Sequence, residues 1–173
     1  VTHMQYTFNL CKNLVKPPVI PNSVKDMGYT FTGCEKLEAA PEIPDSVIMI
    51  GEKSFYCCSL LNDVVIPNSV KSIEKNAFGC TKLKKIVIPD SVTSIGEDAF
   101  GFCYSLKHAV IPESLYDKCR NAFDYSCELV IPTVNPEKYF EITEDGVLKK
   151  YTGKASKVVI PDGVTKIGED VFN

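Results

Sequence analysis

Eight cysteines and two histidines are the residues of this chain best suited to metal binding, thiol chemistry or proton transfer. Cys11, Cys34, Cys58, Cys80, Cys103 and Cys127 follow one another at intervals of 23, 24, 22, 23 and 24 residues. Cys57 and Cys119 fall outside that series. A disulfide or zinc framework joins unlike parts of a chain and has no reason to keep one interval, whereas a repeat does. Adjacent Cys57 and Cys58 lack C-x-x-C spacing, and the only histidines are His3 and His108, so neither a metal nor any other cofactor is expected. The six periodic thiols are expected inside, each a small hydrophobe with a weak donor at the same place in successive coils. Cys57 and Cys119 stay open, as partly buried thiols or as a reactive pair in an oxidising compartment.

Catalysis needs a nucleophile or an acid–base group held beside a partner. His3 lies outside the regular repeats, and His108 has no carboxylate or nucleophile in its own repeat. Its expected neighbour in the preceding repeat, Lys85, is basic, so His108 reads as a surface histidine. The chain contains no G-x-S-x-G, H-E-x-x-H, EF-hand or P-loop pattern. No catalytic residue is assigned, and an enzyme is not expected.

The elements that carry these residues keep the same beat. Ile-Pro recurs at Ile20-Pro21, Ile43-Pro44, Ile66-Pro67, Ile88-Pro89, Ile111-Pro112, Ile131-Pro132 and Ile160-Pro161. Ten or eleven residues after each of six of these prolines comes Phe31, Phe55, Phe78, Phe100, Phe123 or Phe172, and Leu37, Leu61, Leu83, Leu106 and Leu129 follow. A period near 23 over most of the chain is the mark of a solenoid, in which stacking supplies the core that one coil cannot. In the repeat from Leu83 to Cys103, Leu83, Ile86 and Ile88 share one strand face, and Pro89 ends the strand by lacking an N–H. Val92 to Ile95 alternates as a shorter second strand, Gly96 permits a sharp bend, and Glu97 to Cys103 suits a helical turn.

The whole chain has 173 residues, 45% of them apolar, and a formal charge of −3. That is enough for a continuous core, and too mild a charge for a general nucleic-acid or membrane-surface binder. No run approaches the roughly 18 apolar residues of a membrane span. No leader of charged then apolar residues stands at the start, so an export signal is expected outside this segment.

The strings IPDSVTSIGEDAFGFCYSL (Ile88 to Leu106), IPNSVKSIEKNAFGCTKL (Ile66 to Leu83) and IPDGVTKIGEDVF (Ile160 to Phe172) resemble the BspA-like leucine-rich repeat family. The resemblance implies an α/β, β-rich solenoid: one main parallel sheet, with short strands or helical turns on the opposite wall. It also implies a bacterial cell-surface or secreted protein, with adhesion or partner binding rather than catalysis as its task. Departures from the pattern locate irregular places. Pro18 and Pro41 remove ladder donors from the first coils, and Lys118 and Cys119 stand where Ile and Gly are usual. The chain is therefore divided into an array over 1–132, an inserted linker or hairpin over 133–156 turning at Asp145-Gly146, and the start of a further array over 157–173. It reads as part of a longer protein, with adjoining domains among its partners.

Strand alternation places Val19, Glu42, Val65, Val87, Val110, Val130 and Val159 outward on the main sheet. Beside this stripe run Pro17, Ala40, Asp63, Lys85, His108, Glu128 and Lys157. The candidate binding face is Val65, Lys85, Val87, His108, Val110 and Val130, offered to a protein or a glycan. β-Branched propensity alone also accounts for the valines, and a solvated edge for the lysines. Aromatic residues are not interleaved with the lysines, so nucleic acid is not an expected partner, nor is membrane insertion. A spacer array that supports another domain is the alternative function.

Overall fold

In a computed structural model of the chain, residues 1–131, 140–152, 160 and 163–172 are described. Pro132, Tyr139, Gly153, Lys157, Val159 and Pro161 lie outside the described residues, and with them part of the expected stripe and of the last repeat. The chain divides into two compact units, Val1–Leu129 and Val130–Asn173.

Unit 1 is a stack of coils whose residues form three walls. On the first wall Lys85–Val87 (β3) pairs parallel with His108–Val110 (β5), and Glu128–Val130 (β6) follows in the same sheet. The middle residue of each strand points inward: Ile86, Ala109 and Leu129 are buried between the outward residues on either side. The first coils carry no strand on this wall, only the bridge Ala39–Asp63, as expected where Pro18 and Pro41 deny the ladder its donors. The second wall is a parallel sheet of Met49–Ile50 (β1), Ser72–Ile73 (β2) and Ser94–Ile95 (β4). Beyond β4 that wall gives way to 3₁₀ turns at Glu113–Leu115 and Arg120–Ala122, on either side of Lys118 and Cys119.

The third wall corrects the expected helical turn. In the Phe31 coil Tyr29, Phe31 and Gly33 donate their N–H groups to Glu52, Ser54 and Tyr56 of the next coil at 2.8 Å each. The residue after each, Thr30, Thr32 and Cys34, donates to the carbonyl of Met27, Tyr29 or Phe31 three positions back. An α-helix would turn every donor inward along its own chain. Here alternate donors serve the next coil, so all are satisfied while the coils are tied together. That geometry puts the residues two before and two after the phenylalanine in the left-handed region. Tyr29, Lys53, Asn76 and Asp98 take φ of 51 to 56°, and Gly33, Cys57, Cys80 and Phe102 take 58 to 70°.

The phenylalanines stack down the middle. Ring centroids lie 5.3 Å apart for Phe8–Phe31, 5.2 Å for each of the next three pairs and 4.9 Å for Phe100–Phe123. Phe31, Phe55, Phe78 and Phe100 are wholly buried, and Leu37, Leu61, Leu83 and Leu106 line the same core. Phe8, which precedes the first Ile-Pro pair, is the ladder's unexpected first rung.

Gly96 takes no left-handed φ, so close packing rather than a special backbone angle calls for glycine there. A Cβ there would fall 2.5 Å from the Lys75 N and 2.8 Å from the Glu74 carbonyl carbon, so glycine allows the coils to approach.

Unit 2 is small. Phe140–Ile142 (β7) and Val147–Tyr151 (β8) form an antiparallel hairpin with a register shift after Glu141, and Lys166–Ile167 (β9) pairs parallel with β8. Gly146 in the turn has φ of 80°, which suits glycine. Its core is Phe140, Leu148 and Val171. Phe172 departs from the buried place of Phe31, Phe55, Phe78, Phe100 and Phe123: it is 51% exposed, tilted against Tyr151 at 5.7 Å.

Candidate functional site

The cysteine series does not keep one register: Cys11, Cys34, Cys58 and Cys103 stand three residues after a phenylalanine, Cys80 two and Cys127 four. In the coils of Phe31, Phe55 and Phe100 the side chain three residues after the phenylalanine turns inward: the Cys34, Cys58 and Cys103 thiols each donate to a phenylalanine carbonyl of the preceding coil at 3.1 Å. In the Phe78 coil that place belongs to Thr81, whose hydroxyl donates to the Phe78 carbonyl at 2.9 Å and meets the Cys103 sulfur at 3.2 Å. Cys80 is therefore not a core thiol, contrary to the expectation from spacing. It stands two after its phenylalanine, as Cys57 does, and both are half-exposed. Cys11 is exposed as well. Cys57 and Cys119 are not a pair: Cys119 is wholly buried among the core residues, and the thiol that interacts with Cys57 is Cys80.

Burial disfavours the thiolate throughout the inward set. It pushes Cys34 and Cys127 up to about 11, and raises Cys58, Cys103 and Cys119 as well. Iodoacetamide at neutral pH should reach the accessible thiols of Cys11, Cys57 and Cys80 in the folded protein. The five buried cysteines should be labelled only in denaturant, which peptide mass mapping would read. Labelling of Cys34 or Cys58 as fast as Cys11 in buffer would contradict the inward register.

The expected binding face is brought together in part. Lys85 and His108 are register partners, and so are Val87 and Val110. Val19, Val65 and Val87 are 93%, 78% and 60% exposed, whereas Val110 and Val130 are only half-buried edges of the stripe. The apolar part thus lies toward the earlier coils. His108 is exposed as expected, but it has the carboxylate partner its own repeat lacks: its Nδ1 lies 3.1 Å from an oxygen of Glu128 on the next strand. The two are consecutive members of the outward row, and stacking brings them into contact. Around Val19 and Glu42 the proline-rich coils leave a groove of about 870 Å³, lined also by Pro17, Pro18, Pro41 and Pro44.

Outward aromatic residues mark the third wall and were not singled out in the repeat pattern. Tyr6 and Tyr29 stack at 4.8 Å, with the Lys53 ammonium 5.5 Å from the Tyr29 ring centre. A hydrogen bond to the Glu52 carboxylate holds the Tyr29 hydroxyl in its neutral form, up to about 12. Phe102, Tyr104 and Tyr125 are also exposed. Among the described residues no group of three His, Cys, Asp or Glu side chains could hold a metal ion. No helix among them is long and apolar enough to cross a membrane.

The BspA type Leucine rich repeat region family matches residues 2–130 in six copies. A leucine-rich repeat protein of T. pallidum is similar in structure, at 30% identity with a TM-score of 0.63, covering 76% of this chain and 63% of that one. A leucine-rich repeat protein from Bacteroides ovatus is also 30% identical, with a TM-score of 0.58 over 65% of this chain and 36% of that one. A leucine rich cell surface protein from Faecalibacterium prausnitzii, 24% identical, shares the fold over 97% of this chain and 54% of that one, with a TM-score of 0.52. No curated protein matches. The chain spans less than two thirds of the length of these three structural relatives. Repeat, stacked coils and inward register agree: the chain belongs to the BspA-type leucine-rich repeat family.

Proposed function

We propose that this chain is a non-catalytic interaction module of a cell-surface or secreted protein, presenting the face of the first wall to a protein or glycan. The supporting observation is the exposed valine row, Val19, Val65 and Val87, beside Lys85 and His108. Apolar side chains held out on stacked coils can be desolvated by a partner with little loss of conformational freedom. The flanking charges would set orientation and on-rate more than affinity. Family membership agrees with such a role.

The test is binding of the purified chain to extracellular matrix proteins and sulfated glycans, beside Val65→Asp/Val87→Asp with its folding checked by circular dichroism. The wild type should bind saturably, and the double variant should weaken binding at least about tenfold, the effect of two lost contacts of moderate strength. Equal binding by the folded variant would remove the site from this face. Binding by neither, across the panel, would favour the second reading, a spacer array. That reading draws on the unbroken phenylalanine ladder, which suits a stalk.

A further inference from the structure

We propose that Cys57 and Cys80 form an oxidisable dithiol that closes into a disulfide across the Phe55 and Phe78 coils, with the Tyr56 hydroxyl as its positioning group. Both residues stand two after their phenylalanines, in adjacent coils, with the same left-handed backbone at φ of 58° and 60°. The Cys57 N–H donates to the carbonyl of Gly79, the residue before Cys80, at 2.9 Å, so the two positions are neighbouring rungs. Equal dihedrals on neighbouring rungs send both Cβ atoms the same way, side by side. Neighbouring rungs are about 4.8 Å apart, within the Cα separation a disulfide accepts. Both thiols are free and half-exposed, unlike the five inward cysteines.

The Tyr56 ring lies over Gly79, the residue before Cys80, within about 3 Å of where a Gly79 Cβ would stand. Its hydroxyl interacts with both sulfurs, and the sulfurs with each other, which holds the phenol protonated up to about 12. Desolvation first, and then Cys80, disfavour the Cys57 thiolate, while the hydrogen bond from Tyr56 favours it. A donor aimed at a forming thiolate supports attack on a disulfide.

With a low-molecular-weight disulfide as oxidant, one thiol loses its proton and attacks. This forms a mixed disulfide and releases one small thiolate, which takes up that proton. The second cysteine thiolate then attacks the protein sulfur of the mixed disulfide and expels the second small thiolate, which is protonated in turn. Two protein thiols are oxidised to one disulfide, and one small disulfide is reduced to two thiols.

The reduced 173-residue chain would be treated with oxidised glutathione, quenched with acid, alkylated and mapped by peptide mass. The expected product is a cross-link between the peptides holding Cys57 and Cys80, with two fewer alkylatable thiols. Because Cys58 shares a peptide with Cys57, the cross-link should persist in Cys58→Ala and vanish in Cys57→Ser and in Cys80→Ser. In Cys57→Ser, Cys80 should be recovered as a mixed disulfide. Tyr56→Phe should reach the same product several-fold more slowly at neutral pH, the difference shrinking as rising pH forms thiolate without help. Glutathione adducts on both cysteines of the wild type without a cross-link, or a cross-link surviving Cys57→Ser, would overturn the proposal.

Discussion

Phe78→Asp is expected to unfold most of unit 1 in buffer, and Phe78→Ala to lower its stability by about 3–5 kcal/mol. Phe78 is wholly buried and stacks on both sides, 5.2 Å from Phe55 and 5.2 Å from Phe100. Truncation removes apolar area and two aromatic contacts, and leaves a cavity in a wall closed by hydrogen bonds to the next coil. The aspartate adds a carboxylate with no partner in that core. The lesion should spread, because each coil is stabilised by its neighbours and the ladder is cut between Phe55 and Phe100. Phe172→Asp, at a 51% exposed ring outside that ladder, should leave the main urea transition in place. A buried aspartate would have a raised pKa, so its penalty is full above that value and fades at lower pH as the neutral acid forms. Relative to Phe78→Asn, the aspartate variant should therefore recover as the solution is acidified. A urea midpoint for Phe78→Asp equal to the wild type would refute the ladder as the source of stability.

Gly96→Ala is the second large effect, a loss of about 3 kcal/mol, at the upper part of the range for overpacking. The added methyl would meet backbone atoms of the preceding coil, Lys75 N at 2.5 Å and the Glu74 carbonyl carbon at 2.8 Å. Backbone cannot rotate aside as a side chain does, so the rungs must separate and their hydrogen bonds lengthen. The Gly96 N–H to Ile73 carbonyl bond, now 2.8 Å, is the first to suffer. Gly28→Ala is the matched control. There the nearest atoms are the Asp26 carboxylate oxygen at 3.5 Å and the Gln5 side chain at 3.8 Å, ordinary contacts that can adjust. With no left-handed φ at stake, Gly28→Ala should be neutral or stabilise by about 0.4–1 kcal/mol through the unfolded chain. Equal thermal midpoints for the two alanine variants would show that close approach of the coils at Gly96 contributes nothing.

Much of the array was legible in the chain because the same environment is built repeatedly. A buried stacking place selects phenylalanine each time, so Phe31, Phe55, Phe78, Phe100 and Phe123 appear at one spacing, as do the leucines beside them. Pro18 and Pro41, which deny ladder donors, lie in coils that carry no strand on the first wall. The candidate face was legible only as alternation. Alternation says which residues point outward, but not how exposed each one is, hence the difference between Val87 and Val110.

By itself, then, the sequence determined the period, the family and the apolar interior, because these depend on which residue types recur at which interval. The tertiary structure alone decided what depends on contacts between residues about 22 positions apart in the chain. Spacing put Cys80 in the core series, but hydrogen bonds between coils turn Thr81 inward and leave Cys80 beside Cys57. Local pattern allowed a helical turn from Glu97 to Cys103, but half of the donors there serve the adjacent coil and force left-handed residues instead. Gly96 permits a bend in any local reading, and only the preceding coil's backbone shows that it is needed for approach. A one-residue choice of register changes little in a count of intervals. It changes which side chain is buried, and so which chemistry reaches the surface.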